Sequence, residues 1–585
     1  MTFWHSTSVP LLVALASLTL TELTLAQSID NPPPQPVPPL QLPFQENQPP
    51  SLQPQPIPEP QPTLPSPEEL LQPTQPAPVD PQPIPGEVPA TIRVERFDVV
   101  GSTVFTSEEL AVATAPFTNR DITFVELLQA RSAVTKLYAD EGYITSGAII
   151  PPQALQGGVV TIQVVEGSLE AINVSGTNRL NSSYVRDRLE IAAQAPLNVD
   201  RLLEGLQLLQ LNPLIQSISA DLQAGVRPGT SVLAVQVTEA DSFSTNVAID
   251  NGRSPSVGSF RRQVELNQAN LLGFGDGLSV GYSNTNGSDT FNASYTIPLN
   301  PRNGTLQLSI GRSDSRVIEE PFDELEIDAT SRYYELAFRQ PLTQTPTEEF
   351  VLGLVASRQE SQTELGFNDI GPFPLSPGAD EEGRTRVSAV RFFQEWTQRS
   401  SRQVVAARSQ FSLGLDLLDS TINDNAPDSR FLSWRGQGQW VRLLAPDTLL
   451  LVRGDVQLAD GALLPLEQFG LGGQQSVRGY RQDALLTDNG ALLSAELRVP
   501  IVRVPEWQGL LQLSPFIDVG TAWNSGDSPD PEPNTLVGAG IGLLWRQGDN
   551  FLARIDWGIP LVSVDSSGSS LQENGLYFSL VYSPF

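Results

Sequence analysis

Phe243-Ser244-Thr245-Asn246-Val247-Ala248-Ile249-Asp250 is the stretch on which the fold turns. Phe243, Thr245, Val247 and Ile249 share one parity; Ser244, Asn246, Ala248 and Asp250 share the other. In an extended strand successive side chains point to opposite faces, so this octet presents one apolar and one polar face. The pattern recurs at Phe291, Ala293, Tyr295 and Ile297, at Val452, Gly454, Val456 and Leu458, and at Leu493, Ala495, Leu497 and Val499, the last opposed by Ser494, Glu496 and Arg498. Phe551, Ala553, Ile555 and Trp557 oppose Leu552, Arg554 and Asp556 in the same way. Lipid outside and water inside demand this of a transmembrane strand. A soluble sandwich alternates too, so alternation alone leaves both readings open.

Connection lengths separate them. Segments near 242–250, 260–270, 277–284, 289–298, 304–313, 330–340, 349–358, 384–396, 403–414, 431–443, 448–458, 490–499, 510–520, 535–546, 551–559 and 575–585 make sixteen strands. Connections after even strands are mostly short, as at 273–276, 299–303, 444–447 and 547–550. Those after odd strands are often long, as at 314–329, 359–383, 415–430, 459–489, 521–534 and 560–574. Short periplasmic turns facing long external loops mark an outer-membrane barrel, and closure leaves no strand edge in lipid. The parity places the repeated units that precede residue 241 on the periplasmic side. Strands eight and nine alternate poorly. The chain ends in Phe585, as assembled barrels of this kind commonly do.

Two copies of one small unit precede the barrel. Strand-like 91–100 runs into Gly101-Ser102; helix-like 106–114 and 123–139 follow, then strand-like 143–150 and 159–166. The order β-α-α-β-β repeats over 169–175, 182–191, 199–210, 214–222 and 231–239. Gly101 and Gly176 stand at the same place in the two copies, and each copy closes on an acid, Val-Val-Glu166 and Val-Thr-Glu239. Matched spacing of this kind indicates tandem duplication.

Further upstream, residues 9–20 are apolar and Thr24-Leu25-Ala26 follows, the pattern of a cleaved secretory leader over 1–26, although no Lys or Arg precedes Val9. Twelve apolar residues are too few to span a bilayer, which takes about 20. Residues 31–90 hold 23 of the chain's 50 prolines and no basic residue. Such a stretch lacks backbone donors and apolar side chains, so 27–90 is predicted to be a Pro/Gln-rich disordered linker. Only 66–72, with Ser66 as N-cap and Pro67 at the first helical position, suggests a helix, and it is too short to persist alone.

Composition removes whole classes of function. The 585 residues carry a formal charge of −31, contain no Cys, and have one His (His5, within the leader) and one Lys, Lys136. Thiolate chemistry, Cys-ligated zinc and, once the leader is cleaved, any imidazole base are excluded. A chain this acidic is a poor nucleic-acid binder. Gly273-Phe274-Gly275-Asp276-Gly277 lacks the Lys of a phosphate loop and reads as a turn, so no nucleotide site is expected. Asn423-Asp424-Asn425 with Asp428 lacks the distal Glu of a calcium loop, and no metal or cofactor is predicted.

Gly142-Tyr143-Ile144-Thr145-Ser146, Pro151-Pro152-Gln153-Ala154-Leu155 and Val164-Val165-Glu166-Gly167 resemble the polypeptide-transport-associated (POTRA) domains of two-partner secretion transporters of the haemolysin and haemagglutinin type. A second resemblance lies in the barrel. The long connection after strand eleven carries Val477-Arg478-Gly479-Tyr480, and two strands later comes Phe516-Ile517-Asp518-Val519-Gly520. These are similar to the family's inward-folded loop motif and its partner on the inner wall. The resemblance implies a lumen ion pair between Arg478 and Asp518, with Val477, Gly479, Tyr480, Phe516 and Gly520 around it. It also implies a mainly β fold: POTRA domains at 91–167 and 168–240, then a 16-stranded barrel over 241–585 in the outer membrane of a diderm bacterium, with the POTRA domains periplasmic.

The implied function is not enzymatic. An unfolded exoprotein would be received in the periplasm and moved through the pore to the cell surface. An insertase of the same superfamily is the alternative, with a carboxylate-based hydrolase and a diffusion porin behind it. In the family an N-terminal helix plugs the pore. Because 27–90 offers no convincing one, the loop bearing Arg478 is expected to be the main occupant of the lumen.

Overall fold

Ser66, Thr106 and Thr123 each stand three residues before a Glu, and each starts a helix: α1 (Pro67–Leu70), α2 (Ser107–Thr114) and α3 (Phe124–Asp140). In all three the hydroxyl accepts the Glu backbone N–H while the Glu carboxylate accepts the N–H of the cap residue, satisfying two donors that a helix start leaves open. The computed structural model describes residues 47–58, 64–73, 91–154, 157–526, 528–564, 568 and 570–584. The leader at 1–26 and Phe585 lie outside the described residues.

α1 runs directly into strand β1 (Leu71–Pro73). The first repeat follows with β2 (Ile92–Val94), β3 (Arg96–Val100), β4 (Arg120–Ile122), β5 (Gly147–Ile149) and β6 (Val159–Val165). The expected strand over 91–100 is thus two strands, and β2 pairs with β4, which the sequence pattern did not reveal. β5 is shorter than expected because 143–146 turn back on the end of α3, Tyr143 N–H donating to the Tyr138 carbonyl at 2.9 Å. The second repeat comprises β7 (Ser168–Ser175), α4 (Ser182–Ala192), α5 (Val199–Gln210), β8 (Ile215–Ala224) and β9 (Thr230–Glu239). β3 runs parallel to β6 and β5 antiparallel to it; β7, β9 and β8 repeat that arrangement.

The closing acids explain why the copies match. Glu166 accepts hydrogen bonds from the Thr103 backbone N–H and hydroxyl, both at 2.6 Å, and from Tyr138 Oη at 2.9 Å. Glu239 accepts backbone N–H groups from Asn178, Arg179 and Leu180. Each acid therefore ties down the loop just after Gly101 or Gly176. Both glycines have φ near +86° (87° and 85°), and a Cβ on either would strike the carbonyl oxygen two residues before the acid, that of Val164 or Val237.

The repeats dock on each other and on the barrel through backbone contacts. Val199 N–H donates to the Gly142 carbonyl at 2.9 Å, and Leu197 N–H to that of Gly167 at 2.8 Å. Asn181 N–H donates to the Gly273 carbonyl at 2.7 Å, and the Tyr184 ring occupies the space a side chain at Gly275 would need. The glycine-rich turn at 273–277 is thus a seat for the second repeat.

All sixteen expected barrel strands are present: β10 (Phe243–Asp250), β11 (Arg261–Ala269), β12 (Gly277–Asn284), β13 (Ser288–Pro298), β14 (Thr305–Arg316), β15 (Ile327–Gln344), β16 (Glu348–Leu365), β17 (Arg384–Arg399), β18 (Gln403–Leu415), β19 (Leu432–Ala445), β20 (Thr448–Ala459), β21 (Asn489–Val504), β22 (Gly509–Trp523), β23 (Thr535–Gln547), β24 (Phe551–Pro560) and β25 (Leu576–Tyr582). Each pairs antiparallel with its neighbours, and β25 closes on β10 through four residue pairs, Val247 to Asp250 with Tyr582 to Ser579. Leu308, Ile310, Ile517, Ile555 and Trp557 face outward and are exposed; Ser309, Glu335, Arg391, Asp518 and Asp556 face inward and are buried. Among the described residues no helix is long and apolar enough to cross a membrane.

The linker expectation for 27–90 needs correction over its described parts. Residues 47–58 lie inside the barrel. Asn47 donates its side-chain amide to Ser331, Ser51 donates to Glu335, Arg435 donates to the Leu52 carbonyl at 2.9 Å, and Gln439 donates to the carbonyl of Gln55 at 2.9 Å. The lumen loop is therefore not the principal occupant by itself. Proline removes donors but leaves carbonyl acceptors, and a polar lumen wall is rich in donors that match them. Residues 64–73 are also ordered: Leu70 and Leu71 enter the apolar core of the second repeat, and β1 pairs in parallel with β8. One helical turn is unstable alone, but tertiary burial of two leucines supplies what local propensity does not.

Candidate functional site

The connection between β20 and β21 folds into the lumen instead of standing outside. Its limbs pair as a two-stranded ribbon, Phe469–Leu471 with Leu485–Thr487, and Phe469, Leu471, Val477, Tyr480 and Leu485 pack with Leu492, Ala522 and Leu536 of the wall. The tip turns at Gly472 and Gly473, both at positive φ, and Ser476 closes it with hydrogen bonds to and from the Gly472 backbone at 2.8 Å. This apolar core inside a polar pore fixes the tip against the wall.

Arg478 then meets Asp518. Its Nε lies 2.7 Å from one carboxylate oxygen and its NH2 2.8 Å from the other, a fork-to-fork contact; its own backbone N–H also donates to the carboxylate at 3.1 Å. Ser494 Oγ donates to Asp518 at 2.6 Å, so the carboxylate accepts four hydrogen bonds with 0% of its side chain exposed. The guanidinium carbon of Arg478 sits 3.5 Å from the centre of the Phe516 ring. Charge-assisted, bidentate and stacked, this contact uses every feature that distinguishes Arg from Lys.

The remaining motif residues surround that pair. Val477 is fully buried in the loop core beside Gly520, where a larger side chain would press on Leu471 and Val477. Gly479 has φ +107° and lies against the wall; its N–H donates to Tyr577 Oη at 2.9 Å. Tyr480 Oη donates to carbonyls of Val537 and Val562, each at 2.9 Å.

Several participants are absent from the two motifs. Glu496 accepts from Arg478 NH1 at 2.8 Å, from Arg498 at 2.8 Å and from Arg554 at 2.7 Å, so one carboxylate serves three guanidinium groups. Gly538 and Gly558 form a shallow trough: a Cβ on Gly538 would run into the Arg478 carbonyl oxygen, and one on Gly558 into the Gly479 backbone. The alternation places Glu496, Arg498 and Arg554 on the lumen face; that they converge follows from register and the curvature of the wall across β21 to β24. Cross-strand register sets Ser494 opposite Asp518 and Glu496 opposite Phe516, a relation not visible in the linear sequence.

The same loop is held at two further places. On its outgoing limb Glu467 accepts from Arg391 at 2.6 Å and from Gln359 at 2.7 Å, deep in the wall. On its returning limb Arg481 reaches Glu319 and Glu573 in the external connections. A lumen cavity of about 1110 Å³ remains between the loop, the wall and residues 48–57.

Fold and lumen loop together define an outer-membrane β-barrel with periplasmic POTRA repeats. Residues 229–544 match the haemolysin secretion/activation family ShlB/FhaC/HecB, and residues 92–167 match the ShlB-type POTRA domain. The chain belongs to the haemolysin secretion/activation protein family. It is 25% identical over 489 residues to the outer membrane transporter CdiB of Escherichia coli O6:K15:H31 (strain 536 / UPEC), covering 81% of this chain and 79% of the relative. It is 21% identical over 509 residues to the heme/hemopexin transporter protein HuxB of Haemophilus influenzae (strain 86-028NP), covering 81% and 84%. The solved structure of CdiB from Escherichia coli superposes with a TM-score of 0.65 at 22% identity, over 86% of this chain and 93% of that one.

Proposed function

We propose that this protein receives an unfolded exoprotein at its periplasmic repeats and passes it through the barrel to the cell surface, with no catalytic step. The observation that carries this reading is the chain's own N-terminal segment. Residues 47–58 run through the lumen held by backbone carbonyls at Leu52, Gln55 and Pro56 and by Asn47 and Ser51. A pore wall that binds extended polypeptide in part through backbone groups is suited to passing another extended chain. The second repeat holds β1 at the β8 edge by strand addition, a mode that would serve an incoming extended segment equally well.

The experiment is deletion of 92–239 in cells that co-express a candidate exoprotein shown to be secreted by the full-length protein. The barrel is expected to insert and stay heat-modifiable on gels, while exoprotein disappears from the surface. Normal secretion by the truncated protein would end the receptor role. A proline scan across β8 should weaken exoprotein capture more than charge swaps nearby, since Pro removes the backbone donors an added strand requires.

A further inference from the structure

Arg481, three residues beyond the lumen ion pair, is buried at the outer mouth, and its partners come from two other external connections. NH1 and NH2 donate to Glu319 at 3.1 and 2.8 Å, and NH1 also donates to Glu573 at 3.3 Å. Arg481, Glu319 and Glu573 have side chains only 7%, 16% and 6% exposed. Glu319 lies between β14 and β15, and Glu573 between β24 and β25. The adjoining residues extend the join. Gln482 N–H donates to Gln572 Oε1 at 2.8 Å, and Gln572 donates to the carbonyls of Asn251 and Arg253, the latter at 2.7 Å. Ile318 N–H donates to the Ser256 carbonyl at 2.8 Å. Residues 251–258, 317–326 and 570–575, from three external connections, thus form one continuous cover, and Arg253 projects from it onto Ser288, Thr290 and Ser313 of the lumen wall.

We propose that Arg481 is the bolt of an outer-mouth lid made from these three segments, and that the lid opens by breaking the Arg481 contacts with Glu319 and Glu573. A buried guanidinium shared by two carboxylates is stable while all three stay together and costly to leave incomplete, which makes the closed state discrete. The contact is separate from the Arg478–Asp518 pair: it joins loop to loop, whereas that pair joins loop to wall. Its place in export rests on the function proposed above; its existence as a closure does not.

The test uses the full chain, which contains no cysteine. A single thiol is introduced by Ser313→Cys, beneath Arg253, and intact cells are treated with a membrane-impermeant maleimide. Labelling is expected to be slow in this parent and about tenfold faster when Arg481→Gln or Glu319→Gln is added, as local opening becomes easier. Arg312→Gln, which removes an exposed pair with Asp314, should leave the rate unchanged. Channel openings in planar bilayers should become more frequent in the same two variants. Heat-modifiability reports assembly. If Arg481→Gln fails to assemble, Glu319→Gln decides, because it retains the guanidinium and its contact with Glu573. Unchanged labelling in an assembled Glu319→Gln protein would overturn the lid. Neither readout uses an exoprotein, so failure of the lid and failure of the export reading remain distinguishable.

Discussion

Arg478 illustrates what a single side chain does in this lumen. Arg478→Ala would leave Asp518 buried without its cation, whereas Glu496 keeps Arg498 and Arg554; removing one partner of a buried pair costs about 3–5 kcal/mol. The loop should lose its seat, with altered bilayer conductance and reduced secretion. Arg478→Lys keeps the charge but not the fork or the stack on Phe516, so its conductance should fall between parent and Ala variant. Equal behaviour of Lys and Arg at this position would show that charge alone seats the tip. Val477, Arg478, Gly479 and Tyr480 were legible because the motif is contiguous, and Asp518 because parity points it inward. Glu496, Arg554 and the Gly538–Gly558 trough were not, because strands β21 to β24 bring them together only through register and curvature.

Among the elements, the two repeats show how a duplicated sequence keeps one structural lock. Burial alone would raise the Glu166 carboxyl, but hydrogen bonds from the Thr103 side chain and backbone and from Tyr138 more than reverse it, holding the group below its usual value. A depressed carboxyl contributes stability above the unfolded pKa and loses it as pH falls through the folded value. Glu166→Gln should therefore destabilise the first repeat by about 1–2 kcal/mol at pH 7, and by less at pH 3, below the ordinary Glu range, where the contribution of a depressed carboxyl is already being lost. Urea unfolding of a 91–240 fragment, followed by tyrosine fluorescence at both pH values, measures this. A penalty that grows toward pH 3 would contradict the assignment. The repeat spacing made this lock visible from sequence as matched Gly and Glu positions. The pairing of β2 with β4 stayed hidden because three-residue strands carry too little periodicity. Strand β17 alternates poorly for a related reason: inward-facing Val387 and Ala389 meet Leu463, Leu464 and Leu466 of the loop rather than water, so an apolar residue is correct on both faces.

At the scale of the whole molecule, strand number, parity and sidedness all followed from the sequence, and the content of the pore did not. Proline-rich composition predicts little self-structure, and nothing in it announces that a distant wall will supply Arg435 and Gln439 as donors and Ser331 as an acceptor. Removing residues 28–88 tests that content. That deletion empties the lumen of residues 47–58 and should raise single-channel conductance clearly, even with Arg478 intact. Conductance equal to the full-length protein would mean that the loop alone sets the open area.

The three fixings of the lumen loop also imply a direction of mechanical weakness. Tension applied from the cell surface along the returning limb loads Arg481 first and reaches Arg478 only three residues later. Tension along the outgoing limb is borne at Glu467 and then by the ribbon of Phe469–Leu471 with Leu485–Thr487 before it reaches the tip. A pull from outside attached at 482–484, on the tip side of that ribbon, therefore unbuttons the contacts one after another, at low peak force. The same pull on the 460–466 side must shear the Arg391–Glu467 contact inside the wall before the tip feels it. The loop behaves as a strap with a release end and a stitched end, and single-molecule traces taken from the two attachment points should differ in shape.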